Sequence, residues 1–560
     1  MDFITFAFNK NIIIIMKQHR FLILMATILL SALISYGLFT LPFPKSIQEE
    51  GFSSARVVKD LEVIAKEPHS VVHPKERAEV LHYLTERLEE LGGNTRTYVY
   101  PNITARKFTF DATNVLAEFP PLKSSPDTTY LMMIAHYDSR YPWKLINDTV
   151  TSKGASDDGY GLGVILECVH QALKYRKSWN QGIKVLFTDA EEVDLQGMKS
   201  AYKYNKEIFN DVGLILNIES RGPFGPALLF ETSPGNEQLI KLYANYARYP
   251  FAYSIMNMVY QKMPNGTDMN IVRDSIPGLN FSPVADINHY HTDLDNIHNI
   301  SKTTIQHYGE QVVPIIKEYL TNTIYAEEEY LKAEDDLIYF SIPLLGIYHF
   351  TKQQYWLLNI GLCFLLLHLL MKDKNFYWKK SIRQSGIMFA VSLVLIAIGE
   401  IIAWLSSLLT GAYFQLFGSI SGIPFDNAVI LISILSLVIG MILYNRKHTN
   451  TMQNLTNALI LLMIIGLAFQ AILGENMMFF IPECIGTITL FLWKTTSSRI
   501  FPLVGMSILL LHAFSFVYIL AMGLTIGALG IVLLIAFYNL IVIIPLANDY
   551  LTDKVPNQKL

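Results

Sequence analysis

Cysteine is scarce in this chain, which has only three cysteines among 560 residues. Cys363 and Cys484 fall within strongly apolar runs, and Cys168 alone lies in the more polar part of the sequence. A disulfide within that polar part is therefore excluded. A domain of roughly 290 residues can bury a sufficient core without disulfides, so the scarcity of cysteine does not identify the cellular compartment.

An excess of basic residues is also lacking. The formal net charge is −4, and the sequence shows neither an arginine-rich aromatic surface nor the cysteine and histidine spacing of a zinc finger. Proteins that bind nucleic acid usually carry such features, because they must neutralise phosphates. We therefore expect no nucleic-acid partner.

Charged residues are few overall and unevenly distributed. They make up 16% of the chain, against 51% hydrophobic residues, which is unusual for a soluble protein. Polar and charged residues are frequent between about residues 41 and 336, whereas apolar runs follow one another from about residue 355. The sequence therefore predicts a soluble domain followed by a membrane domain.

The first apolar run, "FLILMATILLSALISYGLFTLP", begins at Phe21 and follows Lys17, His19 and Arg20. Its length suits a membrane span, and it has no clear small-x-small cleavage site, so we interpret it as an uncleaved anchor rather than a signal peptide. Met16 directly precedes the basic cluster. Two starts therefore remain open, and the later one would place residues 1–15 upstream of the protein.

Seven further spans are predicted from apolar runs, near 354–371, 386–409, 428–445, 454–473, 477–493, 500–521 and 523–546. Basic residues cluster in alternate loops, at 372–383, 446–447 and 494–499, while the loops at 410–427 and 474–476 contain no Lys or Arg. Cytoplasmic loops carry the excess of basic residues. This pattern predicts a multi-pass protein of the lipid bilayer whose soluble domain is extracytoplasmic.

The predicted organisation has six segments. They are a cytoplasmic N-terminus at 1–20, an anchor at 21–40, an extracytoplasmic domain at 41–335, a juxtamembrane segment at 336–353, a transmembrane domain of about seven helices at 354–546, and a cytoplasmic tail at 547–560. Glu400 and Glu483 fall inside predicted spans, where an ionised carboxylate is costly and usually faces a partner or a cavity. Both a relay role and simple pairing within the helix bundle are open for these two residues.

The soluble domain is predicted to have an α/β fold around a largely parallel sheet. Its β-rich runs "TYLMMIAHYD", "IKVLFTDAEE", "VGLILNIES" and "PALLFETS" alternate with helical patterns at Lys75–Leu91, Gly159–Lys174 and Asn236–Arg248. Ligands of such folds bind beyond the carboxyl ends of the strands. Functional side chains are therefore expected at those ends.

Histidines and carboxylates follow the predicted strands. Each of them alone is more typical of a turn or an exposed strand end. Together they would repel one another strongly unless a cation lay among them, and mixed imidazole and carboxylate ligands suit zinc or a similar divalent ion. The residues concerned are His136, Asp138, Asp157, Asp158, Glu191, Glu192, Glu219, His289, His291, Asp293 and Asp295.

Five short motifs, "HYDS", "GASDDGYG", "DAEEVDLQG", "NIES" and "YHTDLD", occur in the order seen in a known family. Together they make the chain, from about residue 114 to 299, resemble the zinc aminopeptidases with two co-catalytic metals, a family that includes glutamate carboxypeptidases. The anchor and the multi-span half make it more similar to the membrane-bound branch of vacuolar membrane proteases and endoplasmic reticulum metallopeptidases. The resemblance implies a phosphorylase/hydrolase-like three-layer domain that binds two Zn²⁺ ions and removes N-terminal residues from peptides with a metal-activated water.

The resemblance also implies a role for each matching residue. Asp157 would bridge the two metals, Glu191 would be the general base, and Asp138 would orient the imidazole of His136. The remaining ligands would be His136 and Glu219 for one metal and Glu192 and His291 for the other. Many family members have Asp in place of Glu219, and His289 is the alternative to His291.

Two other functions remain open at this point. The segment "HYDSRYPW" also resembles glutaminyl cyclases, which are related enzymes that use a single zinc for intramolecular acyl transfer. "SDDGYG" and "NIES" fit the two-metal peptidases better. A non-catalytic membrane scaffold or receptor is the other alternative, although such a protein would have no physical need to keep a base beside a metal ligand.

Overall fold

A computed structural model shows the fold of the chain. It describes residues 2–38, 41–123, 128–145, 148–263, 265–327, 329–374, 376–412, 414, 424–447 and 451–551. The chain forms two compact units. The α/β unit comprises Phe39–Lys352, and the helical unit comprises Met1–Leu38 together with Gln353–Leu560.

The strands, in chain order, are β1 (Asn94–Ala105), β2 (Phe108–Phe119), β3 (Tyr130–His136), β4 (Trp143–Leu145), β5 (Asp148–Val150), β6 (Gly182–Thr188), β7 (Val212–Ile218), β8 (Leu228–Thr232), β9 (Gly278–Ser282), β10 (Ile338–Ile342) and β11 (Gly346–Phe350). The central sheet has the order β1-β2-β6-β3-β7-β9-β8. β6, β3, β7 and β9 run parallel to one another, and the outer strands pair antiparallel to their neighbours. The predicted fold class, an α/β domain with a largely parallel sheet, is confirmed.

The helices are α1 (Asp2–Leu38), α2 (Ser54–Ile64), α3 (Pro74–Glu90), α4 (Gly159–Leu173), α5 (Gln196–Tyr204), α6 (Glu237–Tyr246), α7 (Ser254–Tyr260), α8 (Met269–Val272), α9 (Lys302–Thr321), α10 (Lys352–Lys372), α11 (Trp378–Thr410), α12 (Pro424–Lys447), α13 (Thr451–Leu473), α14 (Met477–Thr496), α15 (Ile500–Leu524) and α16 (Leu529–Leu551). The three helices predicted in the soluble part correspond to α3, α4 and α6.

Two hydrophobic clusters cover the two faces of the central sheet. Alternate residues of a strand point to opposite faces, and β3 shows this directly. Leu131 and Met133 pack in the cluster that includes α2, α4, α6 and α9, whereas Met132 and Ile134 pack in the cluster that includes α5 and α8. The α/β unit therefore has three layers, with the sheet in the middle.

A tight packing contact fixes the turn that follows β6. Gly197 lies so close to Asp189 that an added Cβ would come within 2.2 Å of the Asp189 carbonyl oxygen. Its own N–H donates to the same oxygen at 2.8 Å. A glycine is required at such a close approach of two backbone segments. The turn that carries Glu191 and Glu192 is thereby closed on itself at the carboxyl end of the strand.

The helical unit contains eight helices among the described residues that are long and apolar enough to cross a membrane. This agrees with the anchor and about seven further spans expected from the sequence. Glu400 is buried in α11, where its Oε1 accepts a hydrogen bond from the N–H of Gly530 at 3.3 Å. Residues 552–560 of the predicted tail and most of the loop at 410–427 lie outside the described residues.

Candidate metal centre

The predicted ligands converge at one edge of the central sheet because parallel strands place their carboxyl ends together. His136 is the last residue of β3, and Glu219 directly follows β7. Glu192 lies in the turn between β6 and α5. Asp157 directly precedes Asp158, whose carboxylate caps α4 by accepting a hydrogen bond from the N–H of Gly161 at 3.0 Å.

The structure brings these side chains into two groups. His136, Asp158 and Glu219 form the first group, and Asp157, Glu192 and His291 form the second. Within each group the potential ligand atoms lie within 4.8 Å of one another. The sequence had not assigned Asp158 to a metal, although it is part of the first group.

Asp157 connects the two groups through its two carboxylate oxygens. Oδ1 lies 3.2 Å from Nε2 of His136, and Oδ2 lies 3.0 Å from Nε2 of His291. One carboxylate therefore faces an imidazole of each group. This geometry is compatible with the bridging role that the sequence resemblance implies for Asp157.

The atoms of the second group are suited to a cation. Oδ2 of Asp157, Oε1 of Glu192 and Nε2 of His291 are buried, and none of them has a hydrogen bond of acceptable geometry with a described residue. They are nevertheless close, with only 2.9 Å between Nε2 of His291 and Oε1 of Glu192. Buried polar atoms are normally hydrogen-bonded. These three atoms, from one imidazole and two carboxylates, lie close together without good hydrogen bonds. They are therefore suitable ligands for a zinc ion.

The electrostatics of the first group support the same conclusion. Burial raises the pKa of Asp158 and of Glu219 well above the usual carboxyl range, and His136 opposes the rise in both cases. In the second group burial also opposes ionisation of Glu192, but His291 and Arg140 hold its pKa below the usual range. A divalent cation would offset this accumulation of negative charge.

Glu191 belongs to neither group. Burial raises its pKa well above the usual range, and its carboxylate is influenced by His136, Glu219 and Glu192. Its carboxylate therefore responds to the charges of residues in both groups without being a member of either. A carboxylate in that position is free to exchange a proton.

The carboxylate of Asp138 holds the turn that carries these glutamates. Its Oδ1 accepts a hydrogen bond from the N–H of Glu191 at 2.9 Å, and its Oδ2 accepts one from the N–H of Glu192 at 3.3 Å. The imidazole of His136 instead has the backbone carbonyl of Asp138 as the partner of Nδ1, at 2.9 Å, and lies 3.5 Å from the carboxylate. Asp138 therefore orients both the ring and the turn.

The structure explains the crowding of carboxylates after β6. Asp189 points away from the two groups, because its Oδ2 accepts a hydrogen bond from the N–H of Thr113 at 2.9 Å and its Oδ1 lies 3.5 Å from Nη1 of Arg77. Glu192 is paired with Arg140, whose Nη1 donates to Oε2 at 2.8 Å. The three acidic side chains are thus separated into different environments.

Of the two histidines in "HYH", His291 is the one in the second group. The indole N–H of Trp143 donates to the carbonyl oxygen of His291 at 2.7 Å, and the ring of Tyr290 stacks on its imidazole at 3.6 Å between centroids. Nδ1 of His289 instead lies 3.2 Å from the carbonyl oxygen of Asp286. His291 is therefore the histidine of this motif whose Nε2 lies close to Asp157 and Glu192.

Three charged residues near the groups had no role assigned from the sequence, and two of them, Asp268 and Arg140, were not noticed at all. The carboxylate of Asp295 accepts hydrogen bonds from Ser152 and Ser156 and so positions the loop before Asp157. Asp268 is buried beside Glu191 and accepts a hydrogen bond from Thr188. Arg140 contacts Glu192 as described. The motif "HTDLD" drew attention to Asp295 without giving it a role, whereas no periodic pattern marks Asp268 or Arg140.

A mostly parallel sheet with helices on both faces, carrying histidine and carboxylate groups at its carboxyl edge, defines the class of α/β metallohydrolases. Residues 114–316 match the model of Peptidase family M28. The chain therefore contains a Peptidase M28 domain, which confirms the family resemblance seen in the motifs.

Two curated relatives are named as a metallopeptidase and as a protease. The chain is 24% identical over 300 residues to endoplasmic reticulum metallopeptidase 1 of Homo sapiens, a match that covers 50% of this chain and 32% of that protein. It is 25% identical over 260 residues to the vacuolar membrane protease of Candida dubliniensis, covering 44% of this chain and 26% of that protein. The chain thus spans about a third or less of the length of these relatives.

Solved structures that resemble the chain include a glutaminyl cyclase of Porphyromonas gingivalis, with 19% identity, a TM-score of 0.39 and coverage of 48% of this chain and 99% of that one. A Zn-dependent exopeptidase of Parabacteroides distasonis has 18% identity, a TM-score of 0.37 and coverage of 48% and 98%.

Proposed function

We propose that the α/β unit is a zinc aminopeptidase that removes N-terminal residues from peptides. The main support is the pair of ligand groups connected by Asp157, with Glu191 beside both and a member of neither. Zinc bound at such a site lowers the pKa of water and polarises a carbonyl oxygen. Two ions per chain are proposed, one for each group.

The side chains of the chain itself supply the proton transfer. The carboxylate of Glu191 accepts a proton from the attacking water and then donates it to the nitrogen of the leaving peptide. Asp138 holds the backbone N–H groups of Glu191 and Glu192, so the base stays in place during both transfers. This division of roles needs the two glutamates to differ in environment, as they do.

Asp268 provides support for action at a free amino terminus. It is buried, its Oδ1 makes no hydrogen bond with a described residue, and its charge acts on both Glu191 and Glu219. An unsatisfied carboxylate oxygen beside the reacting groups is a suitable acceptor for the α-ammonium group of a peptide. The proposed substrates are therefore peptides with an unblocked first residue.

The substrate proposal predicts a preference for a free amino terminus. We expect the purified zinc-loaded protein to hydrolyse aminoacyl chromophore substrates, and N-acetylation of these substrates to lower kcat/KM by about 10- to 100-fold, the value of a charge-assisted hydrogen bond. Rates for each free and acetylated pair provide the measurement. Equal cleavage of both forms would contradict the aminopeptidase proposal, and cyclisation of N-terminal glutamine without hydrolysis would support the cyclase instead.

The distribution of basic residues supports an extracytoplasmic α/β unit. In sealed vesicles of known orientation, we expect a fragment containing residues 41–335 to resist protease added on the cytoplasmic face. An epitope attached after residue 560 should be digested in the same vesicles, because the tail is proposed to be cytoplasmic. Digestion of the α/β fragment from the cytoplasmic face would contradict the proposed topology and the extracytoplasmic peptide substrates.

A further inference from the structure

An arginine lies at the sheet edge directly beyond the first group. Arg221 follows Glu219 by two residues, and its N–H donates to the carbonyl oxygen of Pro283 at 3.2 Å and to Oγ of Ser282 at 2.9 Å. An added Cβ on the neighbouring Gly222 would come within 2.3 Å of the Ala285 carbonyl oxygen. The backbone at Arg221 is therefore packed tightly against the segment that follows β9, and its position is fixed.

The guanidinium of Arg221 has no partner among the described residues. Its Nε is buried and makes no hydrogen bond, and no described carboxylate forms an ion pair with it. The other buried or half-buried arginines of the α/β unit each contact a carboxylate or a carbonyl oxygen. They are Arg56, Arg77, Arg87, Arg140, Arg176 and Arg273.

A partly buried charge without a partner is costly, and arginine cannot escape the cost by losing its proton. The other arginines show that this chain normally supplies an acceptor at such positions. An anion from outside the chain would provide the missing partner, and the planar guanidinium is best suited to a carboxylate, which it can bind through two parallel hydrogen bonds.

Arg221 follows the proposed ligand Glu219 by two residues, and its backbone is held against the segment that leads from β9 towards His291. Its charge acts on the hydroxyl groups of Tyr290 and Tyr260, and the charge of Glu191 acts on both of these hydroxyls as well. The ring of Tyr290 also stacks on the imidazole of His291. The backbone of Arg221 is thus anchored to both chain segments that carry proposed ligands, the one with Glu219 and the one that leads to His291.

We propose that Arg221 binds a carboxylate of the peptide substrate and thereby selects peptides that carry one near the scissile bond. This inference rests on the proposed peptidase function. A carboxylate of a peptide has two sources, the free carboxyl terminus of a very short peptide and the side chain of Asp or Glu. Both would form the same ion pair with the guanidinium, and substrate pairs can distinguish them.

Two matched pairs of peptides test the proposal on the zinc-loaded full-length protein. Alanyl-alanine and alanyl-alaninamide differ only in the terminal carboxylate, whereas alanyl-glutamate amide and alanyl-glutamine amide differ only in the side-chain carboxylate. We expect kcat/KM to favour the carboxylate by about 10- to 100-fold in at least one pair. The pair that shows the preference identifies the source of the carboxylate.

Variants then assign the preference to Arg221. Arg221→Gln should reduce the preference to near unity by lowering kcat/KM of the carboxylate peptides far more than that of the neutral peptides, and it should leave the zinc content unchanged. Arg221→Lys should retain part of the preference, because lysine keeps the positive charge but lacks the planar guanidinium that binds a carboxylate through two hydrogen bonds. Arg96→Gln, which removes an exposed arginine of β1, is the control and should keep the full preference.

A purely structural role for Arg221 would give a different result. It would lower the melting temperature of Arg221→Gln and reduce cleavage of all four peptides equally, whereas the loss of an unpaired charge should leave the melting temperature unchanged or raise it. That result would overturn the proposal. A wild-type protein without preference in either pair, or a preference that survives in Arg221→Gln, would overturn it too.

Calorimetric binding keeps the test independent of catalysis. Dissociation constants for the same four peptides are measured with Glu191→Gln if the wild type hydrolyses them, and with the wild type if it does not. The role of Arg221 is supported in either case if the neutral member of a pair binds more weakly than the carboxylate member. The difference in binding should disappear when Arg221→Gln is added. A lack of hydrolysis would contradict the proposed function alone, and equal binding of both members in both pairs would contradict the role of Arg221 alone.

Discussion

Glu191→Gln lowers the turnover number by about two to four orders of magnitude, the usual contribution of a general base, while the zinc content stays close to that of the wild type. The amide cannot accept the proton of the attacking water. Zinc is retained because Glu191 belongs to neither ligand group. Steady-state kinetics and metal analysis of the same purified sample provide the two measurements.

The neighbouring glutamate gives the matched control. Glu192→Gln removes a charged member of the second group, so we expect that variant to lose zinc as well as activity. The two substitutions are chemically identical, adjacent in sequence and held by the same carboxylate of Asp138. If Glu191→Gln were depleted of zinc and Glu192→Gln were fully loaded, the roles of base and ligand would be reversed.

Removing the metal should abolish the activity, and adding zinc back should restore it. We expect about two zinc ions per chain in the active protein, as in other two-metal hydrolases. His136→Ala should retain the ion of the second group and lose the other, since His136 is a member of the first group alone. Zinc content measured on the protein after gel filtration provides the test.

His82→Ala is a suitable control for this experiment, because His82 is an exposed histidine of α3 remote from both groups in the sequence. It should leave the zinc content unchanged. A wild-type content of one ion, unaffected by His136→Ala, would contradict the two-metal proposal. Such a result would instead favour a single site made by the second group, as in the single-zinc cyclases. Activity that survives the removal of all zinc would contradict a metal-dependent reaction.

Much of the fold could be predicted because β3, β6 and β7 are short apolar runs that end abruptly in polar residues, whereas the parallel strand β9 was not predicted. His136 and Glu219 stand at such ends, and the sheet brings them together without further information. The hairpin of β1 and β2 was not predicted. Its strands at the edge of the sheet alternate irregularly between exposed and buried residues, which weakens the period that identifies strands.

The details of the site depend on loop conformations and on long-range side-chain pairs. Neither produces a periodic pattern in the sequence. Whether Asp157 or Asp158 points to a given group is decided by the backbone of a loop, which spacing does not reveal. The pairing of Asp189 with Arg77 joins segments that are more than a hundred residues apart. Arg221 is conspicuous only through the absence of a partner among the described residues, which requires knowledge of every neighbour in space.

The shared carboxylate of Asp138 has a mechanical consequence. It accepts the N–H groups of both Glu191 and Glu192, and Gly197 closes the same turn onto Asp189, so the backbone of the two glutamates is anchored at a single side chain. A shift of the backbone at Glu192 is therefore expected to shift the backbone at Glu191 as well. The relative backbone positions of the proposed base and the proposed ligand are thus set by one shared carboxylate, that of Asp138.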